Sequence, residues 1–213
     1  MSDVKGKDGP GTRRAQQARA TRQRITGRAL ELFLRQGYAA TTLDQIAASA
    51  GVAVQTVYFH FGNKATVLKQ IVDMLAAGDD QPVPMLGRPW VQQMREEPDG
   101  RRALAIFLAA SRAILLRLAP ILKIVRDAAG ADPEMAALWE AIQQQRLADF
   151  AAFTQLLAGK QALRQDLAIE HAADILFCLV SPEVYLSFTV QRGWTPDQWE
   201  QWASHTLTAT ILR

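Results

Sequence analysis

The segment TTLDQIAASAGVAVQTVYFHFGNK, residues 41–64, concentrates side chains that can bind a polyanion. An amide, a phenol hydroxyl, an imidazole and an ammonium group follow one another at Gln55, Tyr58, His60 and Lys64. Amides hydrogen-bond the edges of bases, whereas hydroxyl, imidazole and ammonium groups suit phosphate oxygens, which position a protein without reading sequence. We therefore interpret this segment as a nucleic-acid contact, provided that the surrounding elements present these side chains on one surface.

Two short helices would provide that surface. Thr42 can cap the first helix, with Gln45 three residues later completing a capping box, and Gly51 ends it. The second helix is predicted over Val54–Phe61, and a further helix begins near Lys64 and extends to about residue 77. Two helices joined by a tight glycine turn predict a helix-turn-helix, which directs its second helix into the major groove of DNA.

The charge distribution also favours a polyanionic partner. The whole chain has a formal net charge of +3, but residues 1–72 carry 11 Lys and Arg against 4 Asp and Glu, and residues 73–213 carry 13 against 17. A basic N-terminal part followed by an acidic remainder is typical of a protein whose N-terminal part binds nucleic acid. The charge counts are also compatible with a basic tail that serves solubility alone.

Helical periodicity dominates the chain, in which 49% of the residues are hydrophobic. Alternation of β-branched residues is not sustained, so the predicted fold class is all-α. We expect a flexible basic arm at residues 1–17, a DNA-binding domain at 18–78 whose first helix ends at Gly37, and a larger regulatory domain at 79–213. Pro182 is expected to kink one helix of that domain. The helices predicted there lie at 89–97, 101–118, 120–129, 133–159, 169–191 and 196–212.

Several classes of protein are disfavoured. The single cysteine, Cys178, excludes an internal disulfide framework and fits a reducing cytoplasm. An uninterrupted apolar run of about 18 residues is missing, so we expect no membrane span, and the N-terminus lacks the apolar core of a signal peptide. The three histidines lie far apart, and no nucleophile elbow or glycine-rich phosphate loop occurs. We expect a cytoplasmic protein that is not an enzyme and binds no metal and no cofactor.

The segment GYAATTLDQIAASAGVAVQTVYFHFGNKATVL, within residues 19–75, resembles the DNA-binding domain of the TetR family of bacterial transcriptional regulators. The resemblance rests above all on Thr42, Ile46, Ala47, Ala50, Gly51, Val52, Thr56, Tyr58, Phe59, His60, Phe61 and Lys64. It implies that the second short helix reads base edges while neighbouring side chains hold phosphates. The residues expected to contact DNA are Thr42, Gln45, Val54, Gln55, Thr56, Tyr58, Phe59, His60 and Lys64.

Three positions depart from the family pattern. Ala53 stands where a serine often caps the recognition helix, which loses a cap typically worth about 1 kcal/mol. Asp44 replaces a residue that is often basic, and it would repel phosphate unless it accepts a hydrogen bond from a cytosine amine. Gln55, where glycine or proline is frequent, adds a side chain that can pair with an adenine edge. These changes alter the expected operator rather than the fold.

Arginines near the N-terminus allow two interpretations. By analogy with family members that have N-terminal extensions, they follow the DNA backbone or enter a minor groove. Alternatively, Arg22 and Arg24 lie on solvated faces of the first helix. The arginines concerned are Arg13, Arg14, Arg19, Arg22 and Arg24.

The segments DPEMAALWEAIQQQRLADF and SPEVYLSFTVQRGWTPDQWEQWASHTL resemble a common form of the TetR-family regulatory domain. The resemblance implies a homodimer in which the helices at about 169–191 and 196–212 pair with their copies as a four-helix bundle. The middle helices would enclose a pocket for a small-molecule effector, although an aromatic stripe at helical spacing is also typical of ordinary core. The candidate pocket residues are Phe107, Arg112, Trp139, Phe150, Phe153, Phe177 and Tyr185.

Two polar residues of this domain have alternative interpretations. Arg112 interrupts a very apolar helix, so it either anchors an anionic effector or pairs with a core acid such as Asp174 or Glu183, and we favour the pair. Cys178 is expected to be a buried small side chain, with a redox sensor as the alternative.

These features predict a homodimeric repressor that binds a palindromic double-stranded DNA operator and is released by a small, largely apolar effector, with no membrane partner. The alternatives are an activator, an architectural DNA-binding protein without effector control, and a helical interaction module that has lost DNA binding. A dependence of DNA affinity on a small molecule separates the regulator from the architectural protein.

Overall fold

The computed structural model describes residues 10–78 and 88–213, and over these ranges the protein is all-α, as predicted. The chain falls into two compact units, divided between Ile71 and Val72. The predicted domain boundary at residue 78 stays a prediction, because the helix Lys64–Ala77 continues through the division. Each unit has its own buried residues and is described by itself below.

The first unit contains the predicted short helices. It comprises α1 (Pro10–Ala40), α2 (Leu43–Ala50), α3 (Val54–Phe61) and most of α4 (Lys64–Ala77). The side chains of Ile25, Phe33, Ile46, Val57 and Leu68 are fully buried and form its core. The observed bounds of α3 and α4 confirm the predicted ones.

The first helix begins earlier than expected. It starts at Pro10 rather than near residue 18, so the part of the predicted flexible arm at residues 10–17 is helical, and residues 1–9 lie outside the described residues. Proline suits the first turn of a helix because its missing N–H is not needed there. Gly37, with φ 78° and ψ 175°, interrupts the helical backbone where the sequence predicted the helix to end.

The second unit contains the longer helices. They are α5 (Pro89–Glu96), α6 (Gly100–Ala129), α7 (Pro133–Gly159), α8 (Ile169–Leu179), α9 (Pro182–Leu186), a π-helical turn (Ser187–Gln191) and α10 (Pro196–Ile211). Asp132 caps α7, as predicted, by accepting hydrogen bonds from the N–H groups of Glu134 at 2.9 Å and Met135 at 3.2 Å. Thr195 caps α10 through a capping box with Gln198.

The prediction of two helices at 101–118 and 120–129 was wrong. The structure has one helix, α6, with Pro120 inside it. A proline removes one backbone hydrogen bond from a helix interior, which usually interrupts it. Here Leu118, Ala119, Ile121 and Leu122 are all buried beside the proline, and this packing keeps both halves in one helix.

The expected kink at Pro182 is a complete break. α8 ends at Leu179, and Ser181 is extended, with φ −89° and ψ 153°, before Pro182 opens α9. Proline disfavours the helical conformation for the residue before it, which accounts for the extended serine. Ser181 then caps α9 by accepting a hydrogen bond from Val184 N–H at 3.2 Å.

Two segments of the second unit, α6 and Ile169–Gln191, are long and apolar enough to cross a membrane by length and composition, contrary to expectation. The core helix of a soluble protein passes the same test. α6 contacts α5, α7, α9 and α10 and contributes Leu104, Leu108 and Leu115 to the buried core of this unit. Ile169–Gln191 is broken between α8 and α9. This packing favours core helices over membrane spans.

Candidate functional site

The turn between α2 and α3 is built around one glycine. Gly51 adopts a left-handed conformation, with φ 63° and ψ 41°, that a side chain would strain. Its N–H is directed at the carbonyl oxygens of Ala47 and Ala48, and Val52 N–H donates to Ala47 O at 3.0 Å. These bonds satisfy the last carbonyl groups of α2 and set the direction in which the chain enters α3.

The start of α2 has the predicted capping box. Thr42 Oγ1 accepts from Gln45 N–H at 3.2 Å, and Gln45 Oε1 accepts from Thr42 N–H at 3.0 Å. Gln36 Nε2 also donates to Gln45 Oε1 at 2.9 Å. The predicted DNA contacts Thr42 and Gln45 are therefore exposed parts of a local network that orients α2. Both bonds to the Gln45 side chain end on Oε1, so neither uses its Nε2 hydrogens.

Helix α3 has one buried and one exposed side. Val57 and Phe61 are buried, whereas Gln55 is exposed and the Tyr58 and Phe59 side chains are 53% and 84% exposed. Residues three and four positions apart share a helix face, so Gln55, Tyr58 and Phe59 form one exposed surface. Of the other predicted contacts on α3, Val54, Thr56 and His60 are partly buried.

An arginine of α1 supports the end of α3. Arg22 Nη2 donates to the His60 carbonyl oxygen at 3.0 Å, and its guanidinium lies 5.7 Å from the centre of the Phe61 ring. Arg22 therefore joins α1 to α3, which neither sequence interpretation of this residue included. Arg14, Arg19 and Arg24 are exposed on α1, and the Arg13 side chain lies outside the described ones.

Lys64 has a structural contact in addition to its predicted role. Its Nζ donates to the Tyr38 carbonyl oxygen at 2.8 Å and lies 4.1 Å from the centre of the Tyr38 ring. Asn63 Oδ1 accepts from Thr66 N–H at 2.8 Å and caps α4. A positive charge in the first turn of a helix also strengthens the attraction of that end for anions. The contact with Tyr38 holds the ammonium group of Lys64 in place.

Two family departures have visible local consequences. Ala53 occupies the N-cap position of α3 in an extended conformation and makes no side-chain cap, so the predicted loss of this cap is confirmed. Asp44 is exposed in the first turn of α2, where a negative charge interacts favourably with the helix dipole. Asp44 thus has a stabilising local role that is independent of DNA.

Four of the predicted pocket residues form one aromatic cluster in the second unit. The Phe107 and Phe153 rings stack with centroids 4.0 Å apart, and Phe150 meets Phe107 edge to face at 5.8 Å. Phe177 meets Phe150 edge to face at 6.2 Å. Trp139 is partly buried on α7 and does not join this cluster. Whether the cluster lines a pocket or is ordinary core stays a prediction.

Sequence reasoning missed the cation beside this cluster. The Arg146 guanidinium lies 4.5 Å from the Phe177 ring centre and 5.6 Å from that of Phe150. It donates to the carbonyl oxygens of Phe177 at 3.1 Å and Val180 at 3.4 Å, at the end of α8. Burial lowers the pKa of Arg146 below its ordinary value, opposed by the nearby Glu183. In the sequence Arg146 follows three glutamines, a pattern typical of a solvated helix face.

Arg112 forms an ion pair, but not with the expected acids. Its Nη1 lies 2.5 Å from Asp197 Oδ1 and its Nε lies 2.5 Å from Glu200 Oε2, both on α10. Glu183, one of the expected partners, instead pairs with Arg126 at 3.0 Å. The naming of Asp174 or Glu183 was therefore wrong, because the register of α6 against α10 is not visible in the sequence.

The last predicted pocket residue, Tyr185, lies near Arg112 and packs edge to face on Trp199, with centroids 5.1 Å apart. Both rings are buried, with Tyr185 3% exposed and Trp199 fully buried. Apart from Trp139, which joins neither group, the predicted pocket residues thus separate into the phenylalanine cluster and a polar group formed by Arg112 and Tyr185.

Two further features of the second unit differ from expectation. Cys178 is exposed, so the prediction that it is buried was wrong.

A surface groove of about 370 Å³ lies on α10 and includes none of the predicted pocket residues; it is lined by Trp194, Gln198, Gln201, Trp202 and His205. Among the described residues, no group of three or more His, Cys, Asp or Glu side chains is arranged to hold a metal ion.

Comparison with known proteins identifies relatives of the first unit. A family model described as "Bacterial regulatory proteins, tetR family" matches residues 25–71. The chain is 50% identical over 58 residues to TtgW of Pseudomonas putida, an uncharacterized HTH-type transcriptional regulator, and this match covers 27% of the chain and 43% of TtgW. The chain spans less than half the length of the curated relatives it matches.

Two solved structures are similar along most of the chain. NalD, the secondary repressor of the MexAB-OprM multidrug efflux pump in Pseudomonas aeruginosa, has a TM-score of 0.69 and 25% identity, covering 92% of this chain and 98% of NalD. SmeT in complex with triclosan has a TM-score of 0.70 and 22% identity, covering 91% of this chain and 92% of SmeT. At 22% identity the second comparison shows a shared fold alone.

Proposed function

Because this chain belongs to the TetR family of bacterial regulatory proteins, we propose that it is a DNA-binding transcriptional regulator. The observation that carries the proposal is the exposed face of α3, on which Phe59 is 84% and Tyr58 53% exposed beside Gln55. A contiguous aromatic face is unfavourable against water and favourable against the bases and thymine methyl groups of the major groove.

The contacts have separate roles in this proposal. Gln55 pairs with an adenine edge, and Thr56 or Phe59 packs on a thymine methyl group. Tyr58, His60 and Lys64 act on phosphates, where the positive charge of Lys64 attracts the backbone over several ångströms. Thr42 and Gln45, at the start of α2, and Val54, at the start of α3, complete the contact surface.

We infer that the regulator acts as a homodimer through residues 169–191 and 196–212. Val190 in this region is 72% exposed, and the partly exposed Trp194 and Trp202 line the groove on α10, so the region presents apolar surface that a second copy would cover. Two-fold symmetry would place the recognition helices at half-sites about 34–36 Å apart.

We also propose that a small-molecule effector opposes DNA binding, and that the protein is a repressor. NalD, which shares the fold at 25% identity, is a repressor, and SmeT forms a complex with triclosan. The phenylalanine cluster with Arg146 supports a largely aromatic effector. Effector and operator would then weaken each other by the same coupling free energy, typically about 1–3 kcal/mol. Such a regulator acts in the cytoplasm and needs no catalytic activity.

The test is selection of binding sites from a random duplex library with the full chain. We expect a palindrome with half-sites about one helical turn apart. Gln55→Ala is expected to relax the preference at one base position in each half-site, whereas a phosphate contact would lose affinity for every sequence equally. Weak, salt-sensitive binding without an enriched sequence would instead favour an architectural protein. An activator is distinguished by an operator upstream of the promoter it stimulates.

A further inference from the structure

Two buried aromatic side chains of the second unit, Tyr185 and Trp199, each carry a polar atom without a hydrogen-bond partner among the described residues. Trp199 is fully buried and Tyr185 is 3% exposed, yet neither Trp199 Nε1 nor Tyr185 Oη has a hydrogen-bond partner among the described residues. Buried N–H and O–H groups are nearly always paired, because an unpaired one forfeits its hydrogen bond to water. The two rings contact each other edge to face, so the two unpaired groups belong to one ring pair.

The chemistry of these groups selects the partner atom. An indole N–H is a donor only, and a phenol hydroxyl donates readily, so both groups are suited to an acceptor oxygen. Burial raises the pKa of the Tyr185 phenol and keeps it protonated as a donor, although the positive charge of Arg112 acts in the opposite direction. The aromatic walls of the site favour an apolar or aromatic body on the partner.

The neighbouring charges exclude an anionic partner. Arg112 is the cation close to Tyr185, and its guanidinium is already held by two carboxylates, Asp197 and Glu200, each at 2.5 Å. Because two carboxylates surround one guanidinium, the net charge around Arg112 is negative. A carboxylate ligand would therefore lose its hydration without gaining a free cation, whereas a neutral oxygen avoids that cost.

The segment that carries Tyr185 is short and irregular. α9 has five residues and lies between the break after Val180 and the π-helical turn Ser187–Gln191. π-Helical turns are rare and occur frequently at functional sites. Trp199, by contrast, lies on the sixteen-residue helix α10. A small shift of α9 would thus move Tyr185 relative to Trp199 without disturbing a long helix.

We propose that Tyr185 and Trp199 form the recognition site for the effector, which is a neutral, largely aromatic molecule with a carbonyl, ether or hydroxyl oxygen. That oxygen accepts hydrogen bonds from Trp199 Nε1–H and Tyr185 Oη–H, and the two rings contact the aromatic body. This inference rests on the proposed effector control of the regulator and adds to it the site and the chemical class of the molecule.

The direct test observes the Trp199 indole N–H by ¹H–¹⁵N NMR in the full chain. The protein has five tryptophans, so the signal is identified by its loss in Trp199→Phe or, if that variant does not fold, by replacing the other four in turn. The probes are acetophenone, its hydrocarbon analogue α-methylstyrene, and benzoate. We expect acetophenone to move this signal downfield in a saturable manner and the other two to leave it nearly unchanged.

Two results of that titration would overturn the proposal. If acetophenone leaves the Trp199 signal unchanged at its solubility limit, the indole is satisfied by water or remains unpaired. If α-methylstyrene or benzoate moves the signal as far as acetophenone does, the site does not recognise a neutral acceptor oxygen.

Tyr185→Phe tests the second donor while keeping the ring. We expect its affinity for acetophenone to fall about tenfold, the effect of losing one hydrogen bond. Trp90→Phe, at a partly exposed tryptophan of α5 outside the proposed dimer interface, is the control and should bind acetophenone as the wild type does. The midpoint of thermal unfolding should stay the same or rise in Tyr185→Phe. A clear fall would mean that the hydroxyl is already bonded in the unliganded protein, against the proposal.

Operator affinity separates this inference from the proposed function. If acetophenone binds as described and releases the operator, both hold. If a screened effector releases the operator equally from wild type and Tyr185→Phe, effector control stands and the Tyr185–Trp199 site is wrong. If no bound molecule changes operator affinity, effector control fails, while the NMR titration still decides whether the site exists.

Discussion

Phe59 and Phe61 lie two positions apart on α3, yet their side chains are 84% and 6% exposed. Phe61 packs beneath Arg22 and contributes to folding, whereas Phe59 has almost no contact area to lose. A substitution at Phe59 therefore tests DNA binding, whereas a substitution at Phe61 tests the stability of the fold.

Phe59→Ala is expected to change the free energy of unfolding by less than about 0.5 kcal/mol while weakening binding to the selected operator. Phe61→Ala is the matched control and should cost about 3–5 kcal/mol of stability, because it empties a buried position. Urea denaturation measures the first quantity and fluorescence anisotropy with labelled operator the second. Unchanged operator affinity in Phe59→Ala would argue against the exposed face of α3 as the DNA contact.

Asp149 gives a prediction about pH. Burial raises the pKa of its carboxyl group, although a hydrogen bond from Gln145 Nε2 at 2.9 Å opposes the rise. The folded state then binds a proton more tightly than the unfolded state, so Asp149 lowers stability as pH rises above about 4. Asp149→Asn should be more stable than wild type at neutral pH, with the difference shrinking toward pH 3. Denaturation at several pH values checks this, and a constant difference would contradict it.

At the scale of the element, α2 and α3 differ in the capping contacts at their ends. α2 has the Thr42 capping box and the Gly51 turn, whereas α3 begins at Ala53 without a side-chain cap. A helix of eight residues depends on such end contacts because it has few internal hydrogen bonds.

Ala53→Ser should therefore stabilise the protein by about 1 kcal/mol, since Ala53 already has the extended backbone of a cap residue. Ala48→Ser, which adds the same hydroxyl on the exposed side of α2, is the control and should cost a few tenths of a kcal/mol. Thermal unfolding measures both. An equal response of the two variants would show that capping is not the cause.

The end of α8 is held by Arg146 in addition to the local bond from Val180 N–H to Leu176 O at 2.9 Å. Arg146→Met would remove the hydrogen bonds to the Phe177 and Val180 carbonyl oxygens and leave both unpaired, at a cost of about 1–3 kcal/mol. Arg95→Met, at an exposed arginine of α5, should stay within about 0.5 kcal/mol of wild type. Urea denaturation of the two variants tests this, and similar values for both would assign Arg146 no structural role.

At the scale of the whole molecule, the proposed dimer predicts a mass of twice 23.5 kDa in sedimentation experiments. Val190→Glu would place two buried charges in the interface and should give a folded monomer with weakened operator binding. Leu116→Glu, at a leucine 55% exposed on α6 and outside the proposed interface, is the control and should stay dimeric. If the Val190→Glu protein is still a dimer, the interface does not include this position.

The sequence by itself determined the helix-turn-helix. Thr42, Gln45 and Gly51 act on backbone groups within a few positions of themselves, so their effect is readable without knowledge of the fold. The bounds of α3 and α4 were predictable for the same local reason, as was the missing cap at Ala53.

Only the tertiary structure decided the features that depend on distant segments. Arg112 meets Asp197, 85 positions away, because α6 packs on α10, and Arg146 reaches the end of α8 because α7 packs on α8. Packing also keeps α6 helical through Pro120, where the local preference of proline predicted that one helix would end and another begin. These outcomes depend on which helices are neighbours and in what register, and helical periodicity specifies a buried face without specifying what covers it.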